Sequence, residues 1–253
     1  MIQPHHLLPL AIKAAEEACK EILSVYNTND FQTELKGDQS PLTIADKRAH
    51  NAIASILKSA ELPVLSEEGK TIPYEERKDW EYFWMVDPLD GTKEFLKRND
   101  EFTVNIALIH QNKPVLGVVA VPVNNDIYYA IENQAFLKRG GIEKKLSHRG
   151  RTDLSQANLR VVASRSHMDD NTQGFINKLD QPTIVSAGSS LKFMMLAEGT
   201  ADVYPRYAPT MEWDTAAAHA IVNAVGLRVN RQGSEAEILY NKESLLNPGF
   251  LLS

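Results

Sequence analysis

Asp87-Pro88-Leu89-Asp90-Gly91-Thr92 sets two carboxylates three residues apart, with a proline between them and a glycine and threonine directly after. The residues before it, Tyr82-Phe83-Trp84-Met85-Val86, are apolar and aromatic and read as a buried strand. Asp87 then stands where the strand leaves the core. Pro88 turns the chain, and Asp90 falls where a new helix or turn begins. Both carboxylates can face one side of that turn, with the Leu89 carbonyl between them. Such hard oxygens suit Mg²⁺, which takes one or two carboxylates together with phosphate and water. The Gly91 and Thr92 amides lie where a phosphate can dock. Taken alone, the hexapeptide fits a strand end and a helix cap equally well.

Three further acidic positions shift that balance. Glu67, with Glu68 beside it, follows the short strand 63–65. Asp214 lies in Glu212-Trp213-Asp214-Thr215-Ala216-Ala217-Ala218, where the alanine run argues for tight packing behind a rigidly held carboxylate. Asp46 lies inside a helical pattern. Read one at a time, these are a solvated acidic loop, an N-capping Asp and an exposed helix residue. Together they put carboxylates at strand ends and helix starts, where α/β folds place ligand sites. A phosphate ester reacts slowly because its oxygens repel the attacking water. Bound divalent cations neutralise those oxygens, acidify a water and stabilise the departing alkoxide.

The elements that must position these groups follow from the hydrophobic pattern. Residues 5–27 read as an amphipathic helix with Leu7, Leu10, Ala14, Ala18 and Leu23 on its buried side. Residues 34–41 read as a polar loop. A second helix covers 43–59, with Ala45, Ala49, Ile53, Ile56 and Leu57 inward. Residues 70–80 are charged and loop-like. Strands at 102–109, 115–123 and 126–130 form an antiparallel meander. A polar, glycine-containing stretch at 139–157 suggests a boundary. Beyond it the pattern alternates: strand 159–163, helix 169–180, strand 183–186, helix 191–198, strand 201–204, helix 213–224. The expectation is an α+β metal-site domain over 1–155 and a smaller α/β domain over 156–253 that contributes Asp214 and substrate recognition.

Composition agrees with an ordinary globular chain of 253 residues, 43% hydrophobic and 24% charged. A net charge of −6 argues against a nucleic-acid partner. Cys19 is the only cysteine, which excludes an intrachain disulfide and a cysteine-rich zinc site, and its helical setting reads as a packed thiol. With no leader pattern and no apolar run near membrane-spanning length, the expectation is a cytoplasmic protein without a transmembrane anchor.

Glu67-Glu68, Asp87 to Thr92 and Trp213-Asp214, in that order and at that wide spacing, resemble the lithium-sensitive, Mg²⁺-dependent phosphomonoesterases that include inositol monophosphatase. The resemblance extends through the whole chain. It implies a layered αβαβα sugar-phosphatase fold with two packed domains, a phosphoric monoester hydrolase activity and two or three Mg²⁺ ions. It implies Glu67, Asp87, Asp90, Asp214 and the Leu89 carbonyl as metal ligands, with Glu68 outside the usual ligand set. Thr92 would orient the attacking water, Asp46 would take its proton through the Thr92 hydroxyl, and Glu67 belongs to the same catalytic group. The Gly91 and Thr92 amides would hold the scissile phosphate, bringing Glu67, Leu89, Asp90 and Asp214 into contact with substrate. Some relatives sit on the cytoplasmic face of the inner membrane, so peripheral attachment is a further expectation of the resemblance alone.

Substrate choice falls to the second half. Gly188-Ser189-Ser190, ahead of a helix and near Lys192, reads either as an anion site or as a capped glycine turn. Arg165 and Arg206 can each grip a phosphate with two donors, and Ser164 and His167 flank the first of them. This inventory fits a substrate with two phosphates. The expected small-molecule partner is 3′-phosphoadenosine 5′-phosphate, cleaved to AMP and phosphate, with 3′-phosphoadenosine 5′-phosphosulfate as a second substrate. An inositol or sugar monophosphatase is the alternative within enzymes, and an inactive metal- or phosphate-binding regulator the alternative outside them.

Overall fold

A computed structural model describes residues 2–28, 31–35, 41–163 and 168–253. Helix α1 spans Pro4–Tyr26, with a proline at its first position where no intrahelical donor is needed. A two-stranded ribbon, β1 (Glu34–Leu35) and β2 (Pro41–Leu42), leads to α2 (Ile44–Leu57). β3 (Val64–Ser66), the short α3 (Tyr74–Arg77), β4 (Tyr82–Asp90) and α4 (Thr92–Lys97) follow. The meander is β5 (Thr103–His110), β6 (Lys113–Val121), β7 (Asp126–Ile131), β8 (Gln134–Arg139) and β9 (Ile142–Lys145). The remainder holds β10 (Arg160–Val162), α5 (Asp170–Ile176), β11 (Thr183–Val185), α6 (Leu191–Glu198), β12 (Tyr204–Arg206), α7 (Glu212–Ala224), β13 (Val229–Arg231) and β14 (Phe250–Leu252).

β3 to β9 form one seven-stranded sheet in sequence order, antiparallel except for the β3–β4 pair. A smaller sheet comprises the parallel pair β10–β11 and the antiparallel trio β12–β14–β13, joined by a bridge between Val161 and Val203. One core lies between the large sheet and α1 and α2, built from Ala14, Ala18, Ile22, Ala49, Ile53, Trp84 and Ile106 among others. A second lies between the other face of that sheet, α6 and α7, and the small sheet; Phe83, Met85, Ala107, Phe193, Ala217 and Phe250 belong to it. α5 packs its Ile176 against Val161 and Ala163 on the far side. The layers are therefore αβαβα, the arrangement the family resemblance implies.

Several boundaries differ from the sequence reading. The buried stripe of α1 is Ala11, Ala14, Ala15, Ala18, Ile22 and Val25, with Leu7, Leu10 and Leu23 at its flanks. Small side chains there let α1 lie close against α2. Cys19 is buried as expected, and burial pushes its thiol up to about 12. The stretch at 139–157 contains β9, an edge strand whose Ile142-Glu143-Lys144-Lys145 is exposed throughout. Its charges discourage edge pairing but also erase the apolar alternation that marks a strand. The strand expected at 201–204 runs instead from Tyr204 to Arg206, leaving Val203 as the bridge. Residues 74–77 are helical rather than loop. Among the described residues, no helix is long and apolar enough to cross a membrane.

Candidate active site

β4 carries Asp87 and Asp90, and a bulge in it decides where they point. Asp87 pairs with Asn105 and Asp90 with Thr103, so three steps along β4 match two along β5. Regular alternation would send residues three apart to opposite faces. The extra residue at Pro88-Leu89 resets the phase. Phe83 and Met85 face the α6–α7 layer, whereas Trp84, Val86 and then Leu89 face α1 and α2. Asp90 thereby returns to the side that Asp87 occupies.

Glu67 arrives from the neighbouring strand. β3 runs parallel to β4 with Ser66 opposite Val86, and the Glu67 amide donates to the Val86 carbonyl at 3.1 Å. Asp214 comes from the first turn of α7 and accepts the Met211 amide at 2.8 Å. α7 lies on the sheet through its alanines. A Cβ on Gly117 would stand 2.2 Å from the Ala217 carbonyl oxygen, so only glycine allows this approach.

These carboxylates act on one another. Burial, then the charges of Glu67, Asp90 and Asp214, holds Asp87 well above the ordinary carboxylate range. Burial raises Asp90 to about 6, with Lys192 pulling down and Glu67 pushing up. Burial and then Asp90 raise Asp214 to about 8. Among the described residues no three His, Cys, Asp or Glu side chains are drawn into a closed ligating group. The fit to a divalent cation lies in the donor set: desolvated hard oxygens that repel each other are what such an ion relieves.

Asp46 is 1% exposed and fully engaged. Its Oδ2 accepts the Thr43 amide at 2.7 Å and the Thr43 hydroxyl at 2.6 Å, in a capping box at the start of α2. Its Oδ1 accepts the Thr92 hydroxyl at 3.2 Å. Thr92 opens α4 directly after Gly91, whose φ of 94° is left-handed, and its Oγ1 also lies 3.4 Å from the Leu89 carbonyl oxygen.

The loop before α6 meets this group from the other half. Gly188 backs onto Glu101 and Glu94. Ser189 has a positive φ of 43° and a buried hydroxyl with no partner, and its Cβ lies beside Gly91. Lys192 donates to the Ser189 carbonyl at 3.1 Å and is an electrostatic neighbour of Asp90 and Arg206. Burial lowers its pKa, and Asp90 partly restores it. The buried Nε of Arg206 has no partner. Ser190 departs from the expectation of a substrate ligand: it is 1% exposed, and its hydroxyl turns inward to Thr103 and Asn105. Ser164, Arg165 and His167 lie outside the described residues.

Thr43, Thr103 and Asn105 were not singled out from the sequence. Thr103 and Asn105 did leave a signal, as two polar residues two apart in an otherwise apolar strand, which places them on one face.

The model of the inositol monophosphatase family matches residues 3–249. The 3′(2′),5′-bisphosphate nucleotidase CysQ of Salmonella typhimurium is 45% identical over 248 residues, covering 96% of this chain and 98% of that protein. Its namesake in Escherichia coli K12 is 44% identical over 251 residues, covering 98% and 99%. The crystal structure of CysQ from Bacteroides thetaiotaomicron superposes with a TM-score of 0.85 at 45% identity, over 96% of this chain and 95% of that one.

Proposed function

The chain belongs to the inositol monophosphatase family, and from that membership we propose that it is a 3′(2′),5′-bisphosphate nucleotidase. The reaction is removal of the 3′-phosphate of 3′-phosphoadenosine 5′-phosphate by water, leaving AMP and inorganic phosphate. The observation that carries this reading is a pairing. Mutually repelling carboxylates suited to metal-assisted hydrolysis lie within electrostatic reach of two cationic side chains, Lys192 and Arg206, suited to a second phosphate. The relatives at 44–45% identity carry the same activity in their names.

Enzymes of this family depend on Mg²⁺ in general. Here Glu67, Asp87, Asp90, Asp214 and the Leu89 carbonyl would hold two or three such ions, which when bound neutralise the phosphate oxygens, acidify water and stabilise the leaving oxygen. The chain's own groups do the rest. Thr92 donates its only hydroxyl hydrogen to Asp46, so its lone pairs are left to accept a hydrogen bond from the attacking water. As water attacks phosphorus, its proton moves to the Thr92 oxygen while the Thr92 hydrogen moves to Asp46 Oδ1. Thr43 fixes the other Asp46 oxygen, so the carboxylate does not rotate away. The Gly91 and Thr92 amides and the unpartnered Ser189 hydroxyl are donors for the scissile phosphate. Lys192 and Arg206 would serve the 5′-phosphate, and Ser164, Arg165 and His167, read from the sequence alone, would contact the nucleotide. The same subsites would admit 3′-phosphoadenosine 5′-phosphosulfate.

Phosphate release by the purified protein with Mg²⁺ tests this reading. Turnover of 3′-phosphoadenosine 5′-phosphate well above that of inositol 1-phosphate is expected. The opposite preference would make the protein a monophosphatase, and no turnover of either would leave a phosphate-binding regulator.

A further inference from the structure

We infer that Thr103, Ser190 and Asn105 are positioning residues that lock the loop at 188–190 to Asp90, so that filling the nucleotide subsite tightens metal binding. The inference rests on the nucleotidase reading for what fills that subsite.

The three side chains are 0–1% exposed, and they bridge the two halves of the chain. Ser190 donates to Asn105 Oδ1 at 2.9 Å. That uses its one hydrogen, so in the 2.7 Å contact between Thr103 Oγ1 and Ser190 Oγ the threonine must donate. With its oxygen accepting, the Asn105 amide is oriented to present nitrogen to Asp90 Oδ2, 3.4 Å away. The order of donors thus runs one way, from Thr103 through Ser190 and Asn105 to the carboxylate. Asp90 is thus tied to the loop through Asn105 of β5.

The bulge in β4 makes this arrangement available, because it sets Thr103 opposite Asp90 and Asn105 opposite Asp87 on the same face. Burying three polar groups costs stability unless every partner is present, so the set behaves as a unit. Ser190 also precedes α6, which carries Lys192, and the Lys192 ammonium closes back onto the Ser189 carbonyl. An anion that draws Lys192 or Ser189 toward itself therefore moves the residue that aims Asn105. Ligands sharing a fixture in this way bind with a coupling that is equal in both directions.

Calorimetric titration of Mg²⁺ into the metal-free protein, with and without saturating AMP, tests this. In the wild type AMP is expected to tighten Mg²⁺ binding. Ser190→Ala is expected to weaken Mg²⁺ by about tenfold, as loss of an outer-layer partner does, and to abolish the tightening by AMP. Ser190→Thr should restore both, and the near-isosteric Thr103→Val should lose the AMP effect with a smaller loss of Mg²⁺ affinity. Unchanged Mg²⁺ affinity and an intact AMP effect in both Ser190→Ala and Thr103→Val would overturn the inference. So would losses that Ser190→Thr fails to restore while its melting temperature matches the wild type. Failure of the substrate reading would appear separately, as no turnover of the bisphosphate by the wild type.

Discussion

Thr92 donates its hydroxyl to Asp46 at 3.2 Å, across 46 positions of chain, and Asp46 is pinned from behind by Thr43. The pair sits beside the carboxylates without belonging to them. Thr92→Ala is therefore expected to lower kcat by roughly 10²–10⁴-fold, the range for losing a positioned proton acceptor. Mg²⁺ affinity by calorimetry should stay within a few-fold. Asp46→Asn should fall in the same range, and the double variant should be little worse than either single one. Additive losses would mean that the two residues act separately.

Asp90→Asn should separate stability from function. It removes one charge from a desolvated group while keeping shape, and the new amide oxygen can still accept from Asn105. At pH 8, in chelator, the variant is expected to melt higher than the wild type, by about 2–4 °C for each kcal/mol of repulsion relieved. With Mg²⁺ the order should reverse, and activity should be lost. A lower melting temperature in chelator would show that the carboxylates do not oppose one another.

Gly117→Ala probes the seat of α7. The added methyl meets the Ala217 carbonyl and the Ala220 side chain, both within 3 Å of the Cβ position. Overpacking of this kind costs about 1–3 kcal/mol, and relief by lifting α7 would displace Asp214. Melting temperature and kcat/KM should fall together, although residue 117 touches no substrate.

Acid should weaken the fold through His219. Its ring is 1% exposed, held between the Tyr240 hydroxyl at 2.9 Å and Glu237 at 3.3 Å. Burial lowers its pKa from 6.5; Glu237 opposes that shift and Arg228 reinforces it. The folded protein then refuses a proton that the unfolded chain takes up below 6.5. This contribution is complete above that pH and is lost as pH falls beneath it, by up to about 1.4 kcal/mol per pH unit. Denaturant titrations of wild type and His219→Gln from pH 7 to pH 5 should diverge, with the variant flatter.

Much of the site was legible in the sequence because its signals are local. A strand running into Asp87, a glycine where φ turns positive, and an alanine run behind Asp214 each declare themselves within a few residues. The pairing of Asp46 with Thr92 follows only from the resemblance, since nothing in either segment announces a contact 46 positions away. The direction of the Ser190 hydroxyl is hidden from the sequence for a related reason. A serine before a helix looks the same whether its hydroxyl faces solvent or, as here, Asn105. β9, β13 and β14 escaped notice because strands of three or four residues, one of them fully exposed, carry no usable period.

The bulge between Asp87 and Asp90 makes the site a matter of parity. Straighten it with every residue kept, and Asp90 turns to the α1–α2 side among Trp84 and Val86 while every residue type of the site is still present in the chain. Sequence variation around this turn should accordingly keep an apolar residue at Leu89, whose side chain is buried in the α1–α2 core, and should be intolerant of any change in length. A one-residue deletion at this point would keep Asp90 opposite Thr103 but erase the bulge, and with it the backbone path that sets the Leu89 carbonyl beside Thr92.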